Sequence, residues 1–373
     1  MNDPVSIWSC FSSLRDPRTS RREKKHRLLD IVAIALCATI AGANDWPQVV
    51  AFAQQRQEWL STFLSLSHGI PSRSTFERVF AALSPRGLQH GLYLWLHACN
   101  RELDLKHISI DGKTLCGSGN ASEDLANLHI VSAWAQEAGL SLGQIAVEAK
   151  SNEITAIPRL LRMLDLKGAL VTIDAMGCQK AIAQQIVEGG GDYVLPVKEN
   201  QPNLHADILE SMIEAQEHDF EGWEHDRYQS EEQGHGRWER RTVTVLYDTS
   251  KIRDQEVWEK LSVIGMCFRE RRVGDKTSEE LSLFIGSRRT SAEVYAKGLR
   301  DHWGIENQLH WQLDVTFGED GSRIQDRKGA ENMALLRKWA LSLLKQHPDK
   351  AGMATKQYKA ALNPQYLQEI LQG

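Results

Sequence analysis

ISIDGKTL, residues 108–115, is the stretch on which the fold turns. Apolar and polar residues alternate from Ile108 into Asp111, the period of a strand with one face in a core, and then Gly112 and Lys113 break the pattern. A carboxylate at the end of a buried run is costly unless something balances it. LVTIDAMG, residues 170–177, repeats the arrangement: an apolar strand, an aspartate at its end, then small residues.

The segments around these two stretches set the topology. HISID, LHIVSAWAQ and LGQIAVEAK read as three successive strands, an antiparallel meander. EITAIPRLLRML then reads as a helix, GALVTIDA as a strand, CQKAIAQQIVEGG as a helix ending at glycine and DYVLPVK as a strand. The order βββαβαβ is that of the ribonuclease H-like fold, an α/β class with a mixed sheet covered by helices. A polar, acidic segment follows, and then RRTVTVLY, KLSVIGMCFRERR and ELSLFIGSR read as three more strands. Residues 201–290 are therefore expected to form a β-rich insertion, a mostly β subdomain against the core. Helical character returns at about Ser291, and a last helix covers about 329–345.

Residues 1–100 show helical periodicity throughout, broken at Pro47, HGIPS and SPRG. This gives an all-helical N-terminal module (1–100), a catalytic domain with its insertion (101–345) and a C-terminal tail (346–373). Within the module, GIPSRSTFERVFAAL is a turn followed by a helix with Ser72 or Ser74 at its N-cap, Phe76, Val79, Phe80 and Leu83 on one face, and Arg73, Glu77 and Arg78 on the other. A helix-turn-helix role and plain packing are both open to it.

In a ribonuclease H-like sheet the first and fourth strands are neighbours, so Asp111 and Asp174 meet at one edge of the core. Two carboxylates that close repel unless a cation lies between them. Mg2+ or Mn2+, hard and oxygen-seeking, is the natural counter-ion. RDHWGIENQLHWQLDV offers a third acid, Glu306, with Trp303 and His310 on its helical face. Glu319 and Asp320 in FGED are its rivals. Three acids holding two metals would activate water or a 3′-hydroxyl for in-line phosphoryl transfer. The spacing His302, Glu306, His310 also suits zinc on one helix face, but the HExxH order is missing.

Composition narrows the class. With 373 residues and 42% hydrophobic content the chain can bury a large core, and a formal charge of −5 means that any nucleic-acid surface is local. Six cysteines without a CxxC or a Cys/His cluster point away from structural zinc and disulfides and toward a reducing cytoplasm. The longest apolar run, LLDIVAIALCATIAGA, contains Asp30 and falls short of the ~20 residues of a membrane span.

Taken together, DPRTSRREKKHRLLDIVAIALCATIAGANDWPQVVAF, GIPSRSTFERVF, IDGKTL, TIDAMGCQK, DYVLPVKENQP, HGRWERR and HWGIENQLHWQLDVTFGED resemble the ISAs-type DDE transposases, which include the H-repeat-associated proteins. The resemblance covers nearly the whole chain. It implies an insertion-sequence transposase that cleaves DNA at element ends and joins the strands to a target, with Asp111, Asp174 and Glu306 in the catalytic and metal positions. The implied partners are terminal inverted repeats and target DNA, engaged as a homodimer. Related transposases carry an arginine four residues before the third acid and a lysine seven after, where this chain has His302 and Leu313. A catalytically inactive, transposase-derived DNA-binding protein is the alternative reading.

Candidate DNA contacts follow from charge and aromatic interleaving. They are Lys113 beside the first acid; Lys198 and Asn200 at the end of the last core strand; His235, Arg237, Arg240 and Arg241 around Trp238; His302, Asn307 and His310 around the third acid; and Arg73 and Arg78 in the module. A basic run, Arg15, Arg18, Arg21, Arg22, Lys24, Lys25 and Arg27, precedes the first apolar helix.

Overall fold

The computed structural model describes residues 9–19, 23–99, 106–120, 125–148, 151–234 and 236–372. Arg21, Arg22 and His235 lie outside the described residues. The chain begins with helices α1 (Leu28–Ile40), α2 (Trp46–Gln55), α3 (Gln57–Leu60), α4 (Arg73–Ala82) and α5 (Pro85–Cys99). The long apolar run becomes α1, buried on nearly every side, Asp30 included. Ser72 is the N-cap position of α4, whose Phe76, Val79 and Phe80 are buried.

Next come β1 (His107–Leu115), β2 (Leu128–Ala135), β3 (Leu140–Ala146), α6 (Glu153–Leu161), β4 (Leu170–Ile173), α7 (Lys180–Glu188) and β5 (Asp192–Val197). The first two strand pairs are antiparallel, whereas β4 runs parallel to β1 and to β5. The remaining elements are α8 (Pro202–Glu217), β6 (His225–Gly234), β7 (Arg237–Leu246), β8 (Val263–Val273), β9 (Lys276–Gly286), α9 (Ala292–Gly304), a π-helical turn (Ile305–His310), α10 (Trp311–Val315), α11 (Arg327–Gln346), α12 (Met353–Leu362) and α13 (Pro364–Gln372).

Among the described residues all the strands join one mixed sheet, in the order β3-β2-β1-β4-β5-β9-β8-β7-β6. The insertion therefore extends the core sheet: β9 pairs antiparallel with β5, Val194 opposite Gly286. Its polar opening is helix α8, with Pro202 in the first turn and Leu204, Ile208, Met212 and Ala215 buried at helical spacing beneath an acidic exterior. The insertion holds four strands instead of three: β6 is a sheet-edge strand of mostly polar residues, half-buried only at alternate positions, with Tyr228 packed against the core. The segment read as a tail folds into α12 and α13, which bury Ala360, Leu367 and Ile370.

One apolar core runs from the N-terminal helices into α11 and the first strands. Trp339 of α11 lies 6.3 Å from the Trp95 ring, and Trp46 stacks 5.9 Å from Phe76. Asn332 of α11 donates to the carbonyls of Phe80 (2.8 Å) and Leu83 (3.1 Å), satisfying the C-terminal end of α4. The apolar face of α4 is thus spent on packing. Its outer face carries Arg73, paired with Glu77 at 2.7 Å, and Arg78, which donates to the Ser74 carbonyl. No helix among the described residues is long and apolar enough to cross a membrane.

Candidate active site

Strand register brings the two aspartates together. Ile110 pairs with Ile173 across the parallel β1–β4 ladder, so Asp111 and Asp174 are the next residues on neighbouring strands. β1 is buried through Ile110 and half-buried from Asp111, so the carboxylate stands where the strand leaves the core. Asp174 ends β4 as the N-cap of a single 3-10 turn and accepts from the Gly177 amide at 3.2 Å. Asn200 donates to the Ala175 carbonyl and Gln201 to that of Cys178, so these side chains fasten the turn behind Asp174.

The electrostatics of the pair are unbalanced. Burial, with the charges of Glu153, Asp174 and Glu306 adding to it, pushes the Asp111 carboxyl up to about 7 against one opposing hydrogen bond from the Gly112 amide. Burial also raises Asp174, again with a contribution from Glu153, while the Lys198 ammonium pulls it down. Glu153 went unnoticed in the sequence. It sits in the first turn of α6, and its Oε1 is 2.7 Å from Nε2 of His129, whose Nδ1 is 2.8 Å from the Thr114 hydroxyl. The signal that could have found it is Gly112: a Cβ there would stand 2.2 Å from Glu153 Oε1 and 2.5 Å from His129 Nε2. A glycine interrupting a strand marks such a close approach.

Glu306 lies on the π-helical turn, exposed. It lines a cavity of about 300 Å³ with Asp174, Thr172, Lys198, Trp303 and the guanidinium groups of Arg241, Arg269 and Arg300. Those three arginines are paired with Glu239, Glu280 and Glu232 respectively. The rival acids are engaged elsewhere. Glu319 is fully buried against Arg337 and Lys113, and Lys113 also holds Asp314 and Asp320. Lys113 is therefore committed to three carboxylates.

The π-helical turn separates the histidines in role. His302 contacts the Thr172 hydroxyl at 3.1 Å, and burial pushes it down to about 4. His310 places Nδ1 3.5 Å from Oδ2 of Asp111 and is pushed down to about 3, by burial first. Asn307 donates to the Trp303 carbonyl, and Leu313 is wholly buried. Along β7, Arg237 lies 3.6 Å from Glu239 and Arg240 2.6 Å from Glu270, with Arg240 and Arg272 both over the Trp238 ring. Among the described residues no three His, Cys, Asp or Glu side chains stand ready around one ion.

Residues 102–343 match the family model described as Transposase DDE domain, and residues 8–96 match the one described as DDE_Tnp_1-associated. "Putative transposase YncI" of Escherichia coli O157:H7 is 40% identical over 98% of this chain and 94% of its own length. "H repeat-associated putative transposase YhhI" of Escherichia coli K12 is 36% identical over 94% of this chain and 93% of its own. "Uncharacterized protein in dhlA 3'region" of Xanthobacter autotrophicus is 40% identical over 74% of this chain and 92% of its own. A piggyBac transposase synaptic complex with hairpin DNA aligns over 99% of this chain and 81% of that one, at 10% identity and a TM-score of 0.46.

Proposed function

Because the chain belongs to the Transposase DDE domain family, we propose that it is an insertion-sequence transposase that cuts DNA at element ends and joins the freed 3′-hydroxyl to target DNA. Asp111, Asp174 and Glu306 are its acids, on a ribonuclease H-like core. The observation that carries this reading is the register that sets Asp111 beside Asp174, with Glu306 on the same cavity as Asp174.

The donor set suits Mg2+ or Mn2+. Mg2+ is held by one or two carboxylates and completes its shell with water and substrate phosphate, so three preset protein ligands are not required. Burial, with the neighbouring carboxylates adding to it, raises the Asp111 carboxyl to about 7, and a cation beside it would lower it again. When bound, two such ions would polarise the scissile phosphate and favour ionisation of the attacking water or hydroxyl.

The chain's own residues do the rest. Lys198 and the arginines of the cavity attract the DNA backbone, and exposed Trp303 offers a face for a base. His302 and His310, neutral at pH 7, supply no positive charge, so the role of the missing arginine and lysine passes to Lys198, Arg241, Arg269 and Arg300. Asn200 and Gln201 fix the turn that presents Asp174. The soluble reaction partners are the element's inverted repeats and the target duplex, bound by a homodimer in the cytoplasm.

The test is nicking of duplexes carrying the element's own ends. Cleavage at the end in Mg2+ or Mn2+, absent in EDTA, is the expected result; no cleavage under either metal would leave the inactive DNA-binding alternative. Buried Leu313, where related chains carry a lysine, is the observation that keeps that alternative in view.

A further inference from the structure

β3 closes one end of the sheet and β6 the other, and the two edges are finished differently. At β3 side chains of the helices reach the strand: the Gln144 amide donates to Oε1 of Gln89 at 2.8 Å, and the Ser141 amide to Oγ of Ser342 at 3.1 Å. Among the described residues no side chain of another element bonds to the backbone of β6. Its pairing with β7 is regular over 10 residues and includes no proline, lysine or register shift, the devices that blunt an edge.

The ladder shows which backbone groups of β6 face outward. Tyr247 donates to the Glu224 carbonyl at 3.0 Å, one step before the pair His225 and Leu246. Bonded and non-bonded pairs alternate in an antiparallel ladder, so the even-numbered residues of β6 bond to β7 and the odd-numbered ones point their amides and carbonyls away from the sheet. Of these, the Arg227 amide is held by the Asp226 carboxylate at 2.8 Å. Among the described residues the amides of Gln229 and Glu231 meet no acceptor.

The side chains divide in the same way. Asp226 accepts from the Ala292 amide and Glu232 pairs with Arg300, so the half-buried even positions belong to α9. His225, Arg227, Gln229, Glu231 and Gln233 are exposed, and among the described residues neither Arg227 nor Glu231 has an ion pair. Glu231 stands opposite Arg240 on β7, but that arginine is taken by Glu270 at 2.6 Å. Charges on an edge have an ordinary use in keeping other strands off. Charges of one sign do that, whereas Arg227 and Glu231 are of opposite sign and lie at equal distances on either side of Gln229. Such an edge is complementary to itself.

We propose that β6 is a dimer interface, at which two copies of the chain join edge to edge, antiparallel about Gln229, with Arg227 of each opposite Glu231 of the partner subunit. The two-fold axis runs through Gln229 perpendicular to the sheet. Every outward amide and carbonyl from His225 to Gln233 then meets a partner, that of Arg227 once it leaves Asp226. Because such an axis keeps each face of the sheet on its own side, α9 and the cavity lined by Arg241 and Arg300 lie on the same side in both copies. The inference rests on the homodimer given under Proposed function and names the surface that makes it.

Sedimentation equilibrium of the full chain tests it, run with and without duplexes of the element's own ends. The wild type is expected at 2 × 42.1 kDa, the mass of a dimer. Arg227→Glu and Glu231→Arg each set like charges opposite one another, so each alone should weaken the dimer at least ~10-fold. Mixed in equal amounts the two variants should form a mixed dimer, since the acids of one copy then meet the arginines of the other. A role for either residue within its own chain gives no such rescue. Gln229→Pro, tolerated at an edge position whose amide faces outward, removes a central donor and should also yield monomer. If the wild type is a dimer and all three variants are dimers as tight, the homodimer stands on another surface and the inference falls. A wild type that is monomeric both free and on end DNA overturns the homodimer and the inference together. Should a single reversal fail to fold, Gln229→Pro is compared with the double reversal Arg227→Glu/Glu231→Arg, which restores the pairing within one sequence: monomer for the first and dimer for the second support the inference, and equal masses overturn it.

Discussion

Nδ1 of His310 stands 3.5 Å from Oδ2 of Asp111, yet the two do not form an ion pair at neutral pH. Burial pushes the imidazole down to about 3 and the carboxyl up to about 7, so His310 is neutral wherever Asp111 is charged. Contact without charge is the pattern of a residue that orients its neighbour. His310→Ala should therefore lower cleavage by roughly 10- to 100-fold, as loss of an outer-shell partner does, while His310→Gln retains more of it. Long-range 1H–15N NMR of the imidazole checks the premise: a protonation midpoint near 6.5 would contradict it.

The raised Asp111 carboxyl makes stability depend on pH in a stated direction. Its folded value, about 7, lies well above the 3.8 of an ordinary aspartate, so the folded state holds the proton more tightly than the unfolded chain. The contribution is fully present below pH 4 and is lost as pH rises toward 7 and above. In EDTA, Asp111→Asn should thus gain on the wild type between pH 5 and pH 8, by about 5 °C in melting temperature at the upper end. Mg2+ should restore the wild type and leave the variant unmoved. Parallel melts with pH that ignore both the substitution and the metal would show that Asp111 carries no such burden.

Gly112 offers a steric test of the same corner. A methyl group there meets Glu153 and His129 at 2.2 and 2.5 Å, so Gly112→Ala must displace one of them. Overpacking of this kind costs about 1–3 kcal/mol. Urea unfolding in EDTA should show that loss, and a midpoint equal to that of the wild type would mean that the corner is looser than the packing indicates.

Sequence and structure part company at identifiable residues. The strand-end aspartates were legible because β1 and β4 carry apolar runs that stop at an acid, and the parallel register then makes them neighbours. Glu153 was not, since a first-turn glutamate reads the same whether it faces solvent or the imidazole of His129. α8 hid because its acids outnumber its buried Leu204, Ile208 and Met212 in a simple reading. β6 hid because an edge strand need not have an apolar face. The π-helical turn at Ile305–His310 leaves no mark in the sequence, because α-helical spacing fits the same residues through Glu306. It is this turn that sends His302 to Thr172 and His310 to Asp111.

Neighbouring arginines on β7 should differ in effect. Arg241 lines the cavity shared by Asp174 and Glu306, whereas Arg240, the next residue and so on the other face, is taken up by Glu270 and Trp238. Arg241→Ala is expected to reduce cleavage and flatten the dependence of log K on log salt by up to about 0.9, the value of one phosphate contact. The reduction will be smaller to the extent that Glu239 already neutralises it. Arg240→Ala should leave cleavage near the wild-type level. Equal effects in filter-binding and nicking assays would assign the DNA path to both faces of the hairpin.

Binding and chemistry should come apart at Asp111. Asp111→Asn preserves size and leaves the helical module, the β7 arginines and Lys198 untouched, so affinity for element ends should stay within about threefold of the wild type. The substitution removes one of the two strand-end charges that would hold the cations, so nicking and strand transfer should fall by orders of magnitude in Mg2+ or Mn2+. Side-by-side gel assays on end DNA measure both quantities. Full activity in Asp111→Asn would put the site on other residues. A wild type that binds its ends, and neither nicks nor joins them in either metal, would identify a transposase-derived DNA-binding protein in which the acids outlasted the activity.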